Sequence, residues 1–241
     1  MTTRRALVIG HDHVAGLGLL ESVLRSSGID LTWLTVVPAD RVDSPDVDVA
    51  FPEPRAWDLV ITLGAPWPRD RIRGWAAAET GFLRRAHDGG VPVLAICFGA
   101  QLLAEALGGT TRPLGRSRIG WRDVRPAAGS GLPAGPWFCW NSDQLVPPGE
   151  ATVLATSDDG CEAFRLGTSV GLQFHPEMSA TLLDDWFTLG VPDGLDVEHL
   201  RAVTARRERR SSAAVRQLLR AALPPRPSGR AHRDGSTRHA S

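Results

Sequence analysis

Short apolar runs alternate with helical patterns along the first half of the chain, and this alternation limits the fold more than any other feature. Four runs bounded by Gly or Pro are typical of buried strands, at 6–9, 31–37, 59–63 and 91–96. Apolar residues at helical spacing follow three of them, at 17–24, 75–87 and 99–107. This order predicts a doubly wound α/β fold, with a mostly parallel central sheet and helices on both faces.

The second half of the chain has a different pattern. Residues 110–175 contain short strand-like runs separated by Gly and Pro, and we expect an antiparallel extension of the sheet there. Helical spacing returns at 182–187 and, as an amphipathic helix, at 197–222. The sequence therefore predicts an α/β domain over 1–196, a C-terminal helix over 197–222 and a disordered, Arg-rich tail over 223–241.

A formal net charge of zero conceals an uneven distribution of charge. Every basic residue apart from His is Arg, and residues 199–241 hold eleven Arg against two acidic residues, a net charge of +9. The first 198 residues carry the opposite charge of −9. We expect the basic end to be a solvated segment; the alternative is a docking segment for an acidic surface or a nucleic acid.

The composition excludes several classes of protein. A chain of 241 residues with 42% hydrophobic and 22% charged residues can bury a core without disulfide or metal staples. Its three cysteines form no CxxC, and their odd number argues against a disulfide framework, so we expect a reduced, cytoplasmic protein. No apolar stretch approaches the ~20 residues of a membrane span. Because the His residues are scattered, with His11 and His13 the one close pair, we expect no metal site.

Cys97 stands where a buried strand is expected to turn sharply into a helix. The small residues Gly99 and Ala100 follow it, as the tight backbone of a nucleophile elbow requires. A side chain at such a turn lies at the helix N-terminus, whose dipole and free N–H groups favour a thiolate and can hold an oxyanion. The segment indicates a nucleophile; the alternative is a buried structural cysteine, which is our interpretation of Cys139 and Cys161.

His175 and Glu177 provide the other half of a possible catalytic triad. They are two residues apart on an extended segment, so their side chains share a face, and Pro176 between them stiffens the pair. A His oriented by a carboxylate is the general base of a Cys–His–acid triad. A surface turn explains the tripeptide equally well when it is taken alone, but the pairing with Cys97 makes it specific.

Four segments together resemble the class I (triad) glutamine amidotransferases. They are CFGAQ at 97–101, QFHPE at 173–177, LGAP at 63–66, which resembles the glycine-rich oxyanion loop of the family, and WNSD at 140–143, where Asn replaces a common His. The resemblance covers about residues 5–190 and is strongest to stand-alone proteins similar to the glutaminase domain of GMP synthase. It implies a flavodoxin-like form of the α/β fold.

The resemblance also implies a role for each matching residue. Cys97 would form a γ-glutamyl thioester with L-glutamine, His175 would activate the thiol and then protonate the departing ammonia, and Glu177 would orient His175. Backbone N–H groups would form the oxyanion hole at Gly64 and Phe98. Substrate-binding roles would fall to Gln101, Asn141, Ser142 and Asp143.

The expected partners follow from the same resemblance. Ammonia would pass to a separate synthase subunit, because the chain has no phosphate-binding loop motif and only about 50 residues after 190. We expect no cofactor, no membrane and no nucleic-acid partner. Two alternatives stay open: a γ-glutamyl hydrolase-type Cys peptidase with the same triad, and a non-catalytic binding member of the fold. Gln101 and the WNSD segment favour a glutaminase, and the complete triad counts against the non-catalytic member.

Overall fold

The computed structural model describes residues 3–223, so the tail from 224 onward, which we expect to be disordered, lies outside the described residues. The strands are β1 (Arg4–Gly10), β2 (Ile29–Thr35), β3 (Leu59–Thr62), β4 (Val93–Ile96), β5 (Thr110–Arg122), β6 (Arg125–Pro126), β7 (Trp137–Val146), β8 (Thr152–Ser157), β9 (Gly160–Leu166) and β10 (Ser169–Leu172). The helices are α1 (Gly18–Ser26), α2 (Arg73–Asp88), α3 (Phe98–Ala106), α4 (Ala180–Phe187) and α5 (Val197–Ala222).

Eight of the strands form one sheet, in the order β2-β1-β3-β4-β10-β9-β8-β6. The first five of these strands run parallel. The remaining three extend the sheet in antiparallel fashion. Strands β5 and β7 pair with each other as a separate antiparallel sheet. The predicted α/β architecture, a mostly parallel sheet with an antiparallel extension, is therefore confirmed.

Alternate residues of β1 are buried against different helices, which is why its apolar run is continuous. Ala6 and Val8 belong to the core that contains residues of α1 and α5. Leu7 and Ile9 belong to the core on the opposite face, with residues of α2 and α3. Burial of each large aliphatic side chain contributes roughly 1.5–3 kcal/mol, so the two cores fix the helices to the sheet.

Strand β2 begins and ends two residues earlier than the sequence predicts. Its partner β1 ends at Gly10, which pairs with Thr35, so the parallel ladder stops there. Val36 and Val37 continue beyond the strand as buried residues. Their apolar character extended the prediction, because burial alone does not distinguish a strand from the turn that follows it.

The carboxyl ends of β1, β3, β4 and β10 lie along one edge of the parallel sheet. In open α/β sheets this edge is where ligands bind. The two-stranded sheet is held near it by a buried ion pair, in which Arg118 Nη2 lies 2.7 Å from Glu162 Oε1 on β9. On β7, the carbonyl oxygen of Trp140 lies 3.7 Å from Sγ of Cys97, the residue that follows β4.

Candidate active site

Cys97 occupies the turn between β4 and α3 with a strained backbone. Its φ of 52° and ψ of −110° make it the one non-glycine residue with positive φ among residues 3–223. Its N–H donates to the carbonyl of Leu172 at 2.7 Å, and its carbonyl accepts from the N–H of Gln101 at 3.0 Å. Strained backbone of this kind persists only where the surrounding structure fixes it, and it is concentrated at functional sites.

Gly99 allows the elbow to pack closely on the end of β3. A Cβ atom at this position would lie 2.7 Å from Thr62 Oγ1 and 2.8 Å from the Thr62 carbonyl oxygen. The Gly99 N–H donates to the carbonyl of Leu63 at 2.9 Å. Phe98, the first residue of α3, has no acceptor for its N–H within the helix, as is general for a first helical turn.

His175 and Glu177 form a buried pair beyond the end of β10. The distance from His175 Nδ1 to Glu177 Oε1 is 2.6 Å, and the two residues are 2% and 1% exposed. The backbone N–H of His175 donates to the carbonyl of Phe138 at 2.7 Å, and this hydrogen bond connects the segment to β7. Because Glu177 occupies Nδ1, Nε2 is the ring nitrogen left to exchange a proton with a neighbour.

Gly64 lies beside both the imidazole of His175 and the sulfur of Cys97. A Cβ atom built on it would lie 3.2 Å from His175 Cε1 and 4.0 Å from Cys97 Sγ. The sulfur also lies 3.7 Å from the carbonyl oxygen of Trp140 and 3.8 Å from Gln173 Nε2. Folding thus brings Cys97 and His175 to the same glycine, although 78 residues separate them in the sequence.

Electrostatics at the pair favour a protonated His175. Burial lowers the pKa of His175, but the Glu177 carboxylate and the Cys97 sulfur raise it more, so the pKa rises to about 10. At neutral pH the ring is then an imidazolium. An imidazolium beside Cys97 can provide a proton for a leaving group.

The other two cysteines have a different environment. Burial raises the pKa of the Cys139 thiol to about 12, and it raises the pKa of the Cys161 thiol to about 12 as well. Both side chains therefore remain thiols at neutral pH, as expected of structural cysteines.

A cavity of about 380 Å³ opens beside the sulfur. Cys97, His175, Glu177 and Gly64 line it, which brings four of the predicted site residues to one space. Other lining residues were missed by sequence reasoning: Asp12, Trp186 and the segment 189–192. Trp186 packs on the ring of His175 at a centroid distance of 4.9 Å. Its position at the end of a predicted helix gave no signal that the side chain would face a site.

The remaining predicted residues, Phe98 among them, do not line the cavity. In the described part of the chain, the residues that line the cavity do not include Gln101, Asn141, Ser142 or Asp143. Gln101 Nε2 donates to the carbonyl of Asp143 at 3.4 Å, and Asn141 Nδ2 donates to the same carbonyl at 2.8 Å. Ser142 Oγ lies 3.0 Å from Ser117 Oγ. These contacts hold the part of β7 that follows Trp140, and Trp140 itself does line the cavity.

Membrane-spanning helices and clustered metal ligands are both absent from the part of the chain that the structure describes. Along 3–223, no helix is long and apolar enough to cross a membrane. Within the same range, no three His, Cys, Asp or Glu side chains are grouped so that they could hold a metal ion.

Comparison with known proteins relates the sequence to a family. The family model for glutamine amidotransferase class-I matches residues 23–187. The chain is 38% identical over 188 residues to the glutamine-hydrolyzing GMP synthase of Aeropyrum pernix, covering 72% of this chain and 34% of the relative. It is also 38% identical over 104 residues to the GMP synthase of Thermomicrobium roseum, covering 40% of this chain and 20% of the relative. The chain thus spans about a third or less of the length of these relatives.

Solved structures agree with the fold. A glutamine amidotransferase from Thermotoga maritima superposes with a TM-score of 0.77 at 24% identity, over 92% of this chain and 99% of that one. A glutamine amidotransferase from Methylobacillus flagellatus gives a TM-score of 0.78 at 20% identity, over 96% of this chain and 100% of that one.

Proposed function

Because the chain belongs to the class I glutamine amidotransferase family, we propose that it hydrolyses the side-chain amide of L-glutamine and releases ammonia for transfer to an acceptor. The observation that carries this proposal is the meeting of two groups at Gly64: its Cβ position is 3.2 Å from the imidazole of His175 and 4.0 Å from the sulfur of Cys97. Glu177 holds the other side of the imidazole at 2.6 Å.

In the first half of the reaction, the Cys97 thiolate attacks the side-chain amide carbon of glutamine. A C–S bond forms, and the carbonyl electron pair moves onto oxygen, where the N–H groups of Gly64 and Phe98 hold it. Each such donor lowers the barrier by roughly 2.7–4 kcal/mol. The His175 imidazolium then protonates the amide nitrogen, the C–N bond breaks, and ammonia leaves a γ-glutamyl thioester behind.

In the second half, water hydrolyses the thioester. His175, now neutral, takes a proton from the water as its oxygen attacks the thioester carbon. The C–S bond breaks, glutamate leaves, and the thiolate and imidazolium are restored. Glu177 keeps the ring oriented in both halves, because its hydrogen bond to Nδ1 directs Nε2 at the reacting atoms.

In this proposal, Gln101 and the residues 141–143 contribute to glutamine binding indirectly, because they do not line the cavity. Gln101 and Asn141 both donate to the carbonyl of Asp143, which holds the backbone of Trp140 against the cavity. Their proposed role is therefore to shape the pocket through β7 rather than to reach the substrate with their side chains.

The released ammonia requires an acceptor. The curated relatives are named as glutamine-hydrolyzing GMP synthases, and the chain matches 34% of the length of one and 20% of another. We propose that a partner synthase receives the ammonia from this glutaminase.

One observation favours a second candidate, a γ-glutamyl hydrolase-type peptidase. The cavity volume of about 380 Å³ falls within the roughly 300–1,000 Å³ that holds drug-sized ligands, more than one glutamine side chain fills. Its wall contains Trp140, Trp186 and Val191, so an apolar amine could occupy the part beyond the scissile amide.

Substrate assays of the wild type, Cys97→Ala and the control Cys161→Ala test both candidates. We expect the wild type and Cys161→Ala to release glutamate and ammonia from glutamine at equal rates, and Cys97→Ala to release none. Cleavage of a γ-glutamyl amide of an apolar amine, such as γ-glutamyl p-nitroanilide, without hydrolysis of glutamine would favour the second candidate. Substantial ammonia release by Cys97→Ala would exclude Cys97 as the nucleophile.

A further inference from the structure

His11 is a completely buried histidine that the proposed reaction does not use. It follows β1 directly, and both of its ring nitrogens have partners: Nδ1 lies 2.8 Å from the carbonyl oxygen of Gly64, and Nε2 lies 2.8 Å from Glu79 Oε2. The ring of Trp75 stacks on the imidazole at a centroid distance of 5.0 Å, and the ring of Phe98 makes an edge contact at a centroid distance of 5.5 Å. The ring is therefore held from several directions at once.

Both partners of the ring accept hydrogen bonds. A carbonyl oxygen cannot donate, and an ionised carboxylate cannot donate either, so each ring nitrogen carries a proton when Glu79 is ionised. Glu79 has a further donor, since Thr62 Oγ1 lies 2.6 Å from Oε1. Burial lowers the pKa of His11, but Glu79 raises it more, and the net direction is upward. Whatever the charge of the ring, a carbonyl partner requires the proton on Nδ1, so Nδ1 donates to Gly64.

The hydrogen bond from His11 fixes a peptide plane in the candidate active site. Gly64 and Ala65 both line the cavity, and Gly64 lies close to both the imidazole of His175 and the sulfur of Cys97. The C=O and N–H of a trans peptide point in opposite directions, so holding the Gly64 carbonyl also sets the direction of the Ala65 N–H. The neighbouring Gly64 N–H is constrained through the same residue.

We infer that His11 and Glu79 form a positioning pair that holds the loop 63–66 with the Gly64 N–H directed at the developing oxyanion. The inference rests on the proposed function, because the oxyanion arises in the proposed amide hydrolysis. The pair touches no reacting atom and acts through Gly64. Its effect falls on the chemical step and not on substrate affinity.

Stability alone does not explain a charged pair at this position. Replacing both members of a buried ion pair by apolar residues is often neutral or stabilising, whereas removing one member leaves an uncompensated charge. The double variant His11→Leu with Glu79→Leu is therefore the variant expected to fold. His11→Asn, made together with Glu79→Leu, is its companion, since an Asn amide nitrogen reaches about the place of Nδ1 and can still donate to Gly64.

The test compares two reactions of Cys97. Acylation by p-nitrophenyl acetate passes through a tetrahedral oxyanion, whereas alkylation by iodoacetamide is a direct displacement that forms none. We expect the double variant to lose about 10²-fold in acylation rate and in kcat for glutamine, the usual effect of one lost oxyanion donor. Alkylation and KM should stay at the wild-type level, and His11→Asn with Glu79→Leu should recover part of the acylation rate. His13→Leu, an exposed neighbour on the same loop, is the matched control and should behave as wild type.

Each other outcome has a definite meaning. A wild-type ratio of acylation to alkylation in the double variant overturns the inference, and so does an equal fall in both rates. A wild type that is alkylated but not acylated has no working oxyanion hole, which also overturns it. If the ester acylates the wild type 10²-fold faster than the variant while glutamine is not hydrolysed, the positioning pair stands and the proposed substrate fails.

Discussion

Gly18 lies against the carbonyl oxygen of Glu177, so closely that a Cβ atom on Gly18 would be 2.0 Å from that oxygen. The next residue, Leu19, donates its N–H to the same oxygen at 2.9 Å. The first turn of α1 therefore contacts and positions the backbone of Glu177, the residue that orients His175. The positive φ of Gly18, +41°, is a second reason for glycine at this position.

We predict that Gly18→Ala lowers kcat by displacing Glu177. The new methyl group cannot coexist with the carbonyl oxygen, so α1 and the segment after β10 must separate, and His175 loses its fixed orientation. The strained backbone adds about 1–3 kcal/mol of destabilisation. Steady-state kinetics and urea unfolding at one temperature measure the two effects.

Gly90→Ala is the matched control for this prediction. Gly90 has a φ of +74°, and a Cβ atom built there meets nothing within 4 Å. It should lose stability through backbone strain while its kcat stays at the wild-type value. Equal kcat values for the two variants would contradict the role of the Gly18 contact.

The parts of this site that could be predicted from the sequence are local in origin. The apolar run ending at Ile96, the small residues after Cys97 and the two-residue spacing of His175 and Glu177 are patterns within a few positions. They report strand, turn and shared face directly, because each depends on the periodicity of one element. The sharp strand-to-helix turn at Cys97 and the hydrogen bond between His175 and Glu177 therefore appear in the structure where the pattern places them.

The parts that could not be predicted depend on contacts between distant segments. Gly18 meets Glu177, and His11 meets Glu79 and Gly64, only once the sheet has twisted and the helices have packed. The sequence gives His11 as one of two nearby histidines in a loop, with no periodic pattern to identify its partners. The cavity wall at Trp186 has the same origin, since it forms where α4 packs beside β7.

Thiol reactivity should single out Cys97. Burial raises the pKa of the Cys139 and Cys161 thiols to about 12, so near pH 7 only about one molecule in 10⁵ has either as thiolate. Cys97 lines the cavity and faces a protonated His175. We predict that iodoacetamide at pH 7 modifies Cys97 first, as mapped by peptide mass spectrometry. Modification of Cys161 at the rate of Cys97 would contradict this difference between their environments.

Glu177→Gln should lower both kcat and the pKa of His175. Burial lowers the pKa of His175, and the Glu177 carboxylate opposes that effect. Without the carboxylate charge, burial has less opposition and the pKa falls. With a weaker orienting bond and less imidazolium, we expect kcat for glutamine to fall roughly 10²- to 10⁴-fold, the range of general acid–base contributions. Nitrogen-15 NMR of the imidazole measures the pKa directly. Glu150→Gln, an exposed residue, controls for the loss of one negative charge; an unchanged His175 pKa in Glu177→Gln would show that the carboxylate is not what raises it.

Stability should fall as the pH rises from neutral into the alkaline range. The pKa of His175 is raised from 6.5 to about 10 in the folded protein, so its contribution to the free energy of unfolding is complete below pH 6.5 and is lost as the pH approaches 10. The pKa of buried His11 is also raised, which adds to the loss in the same direction.

Urea unfolding at intervals between pH 6.5 and 9 measures this slope, and in Glu177→Gln it should be shallower. The double variant Cys139→Ala with Cys161→Ala should keep the wild-type slope up to about pH 8, because these thiols contribute only as the pH approaches 9.0, the pKa they have outside the folded protein. A wild-type free energy of unfolding that is constant from pH 6.5 to 9 would show that His175 is not held as a cation by Glu177.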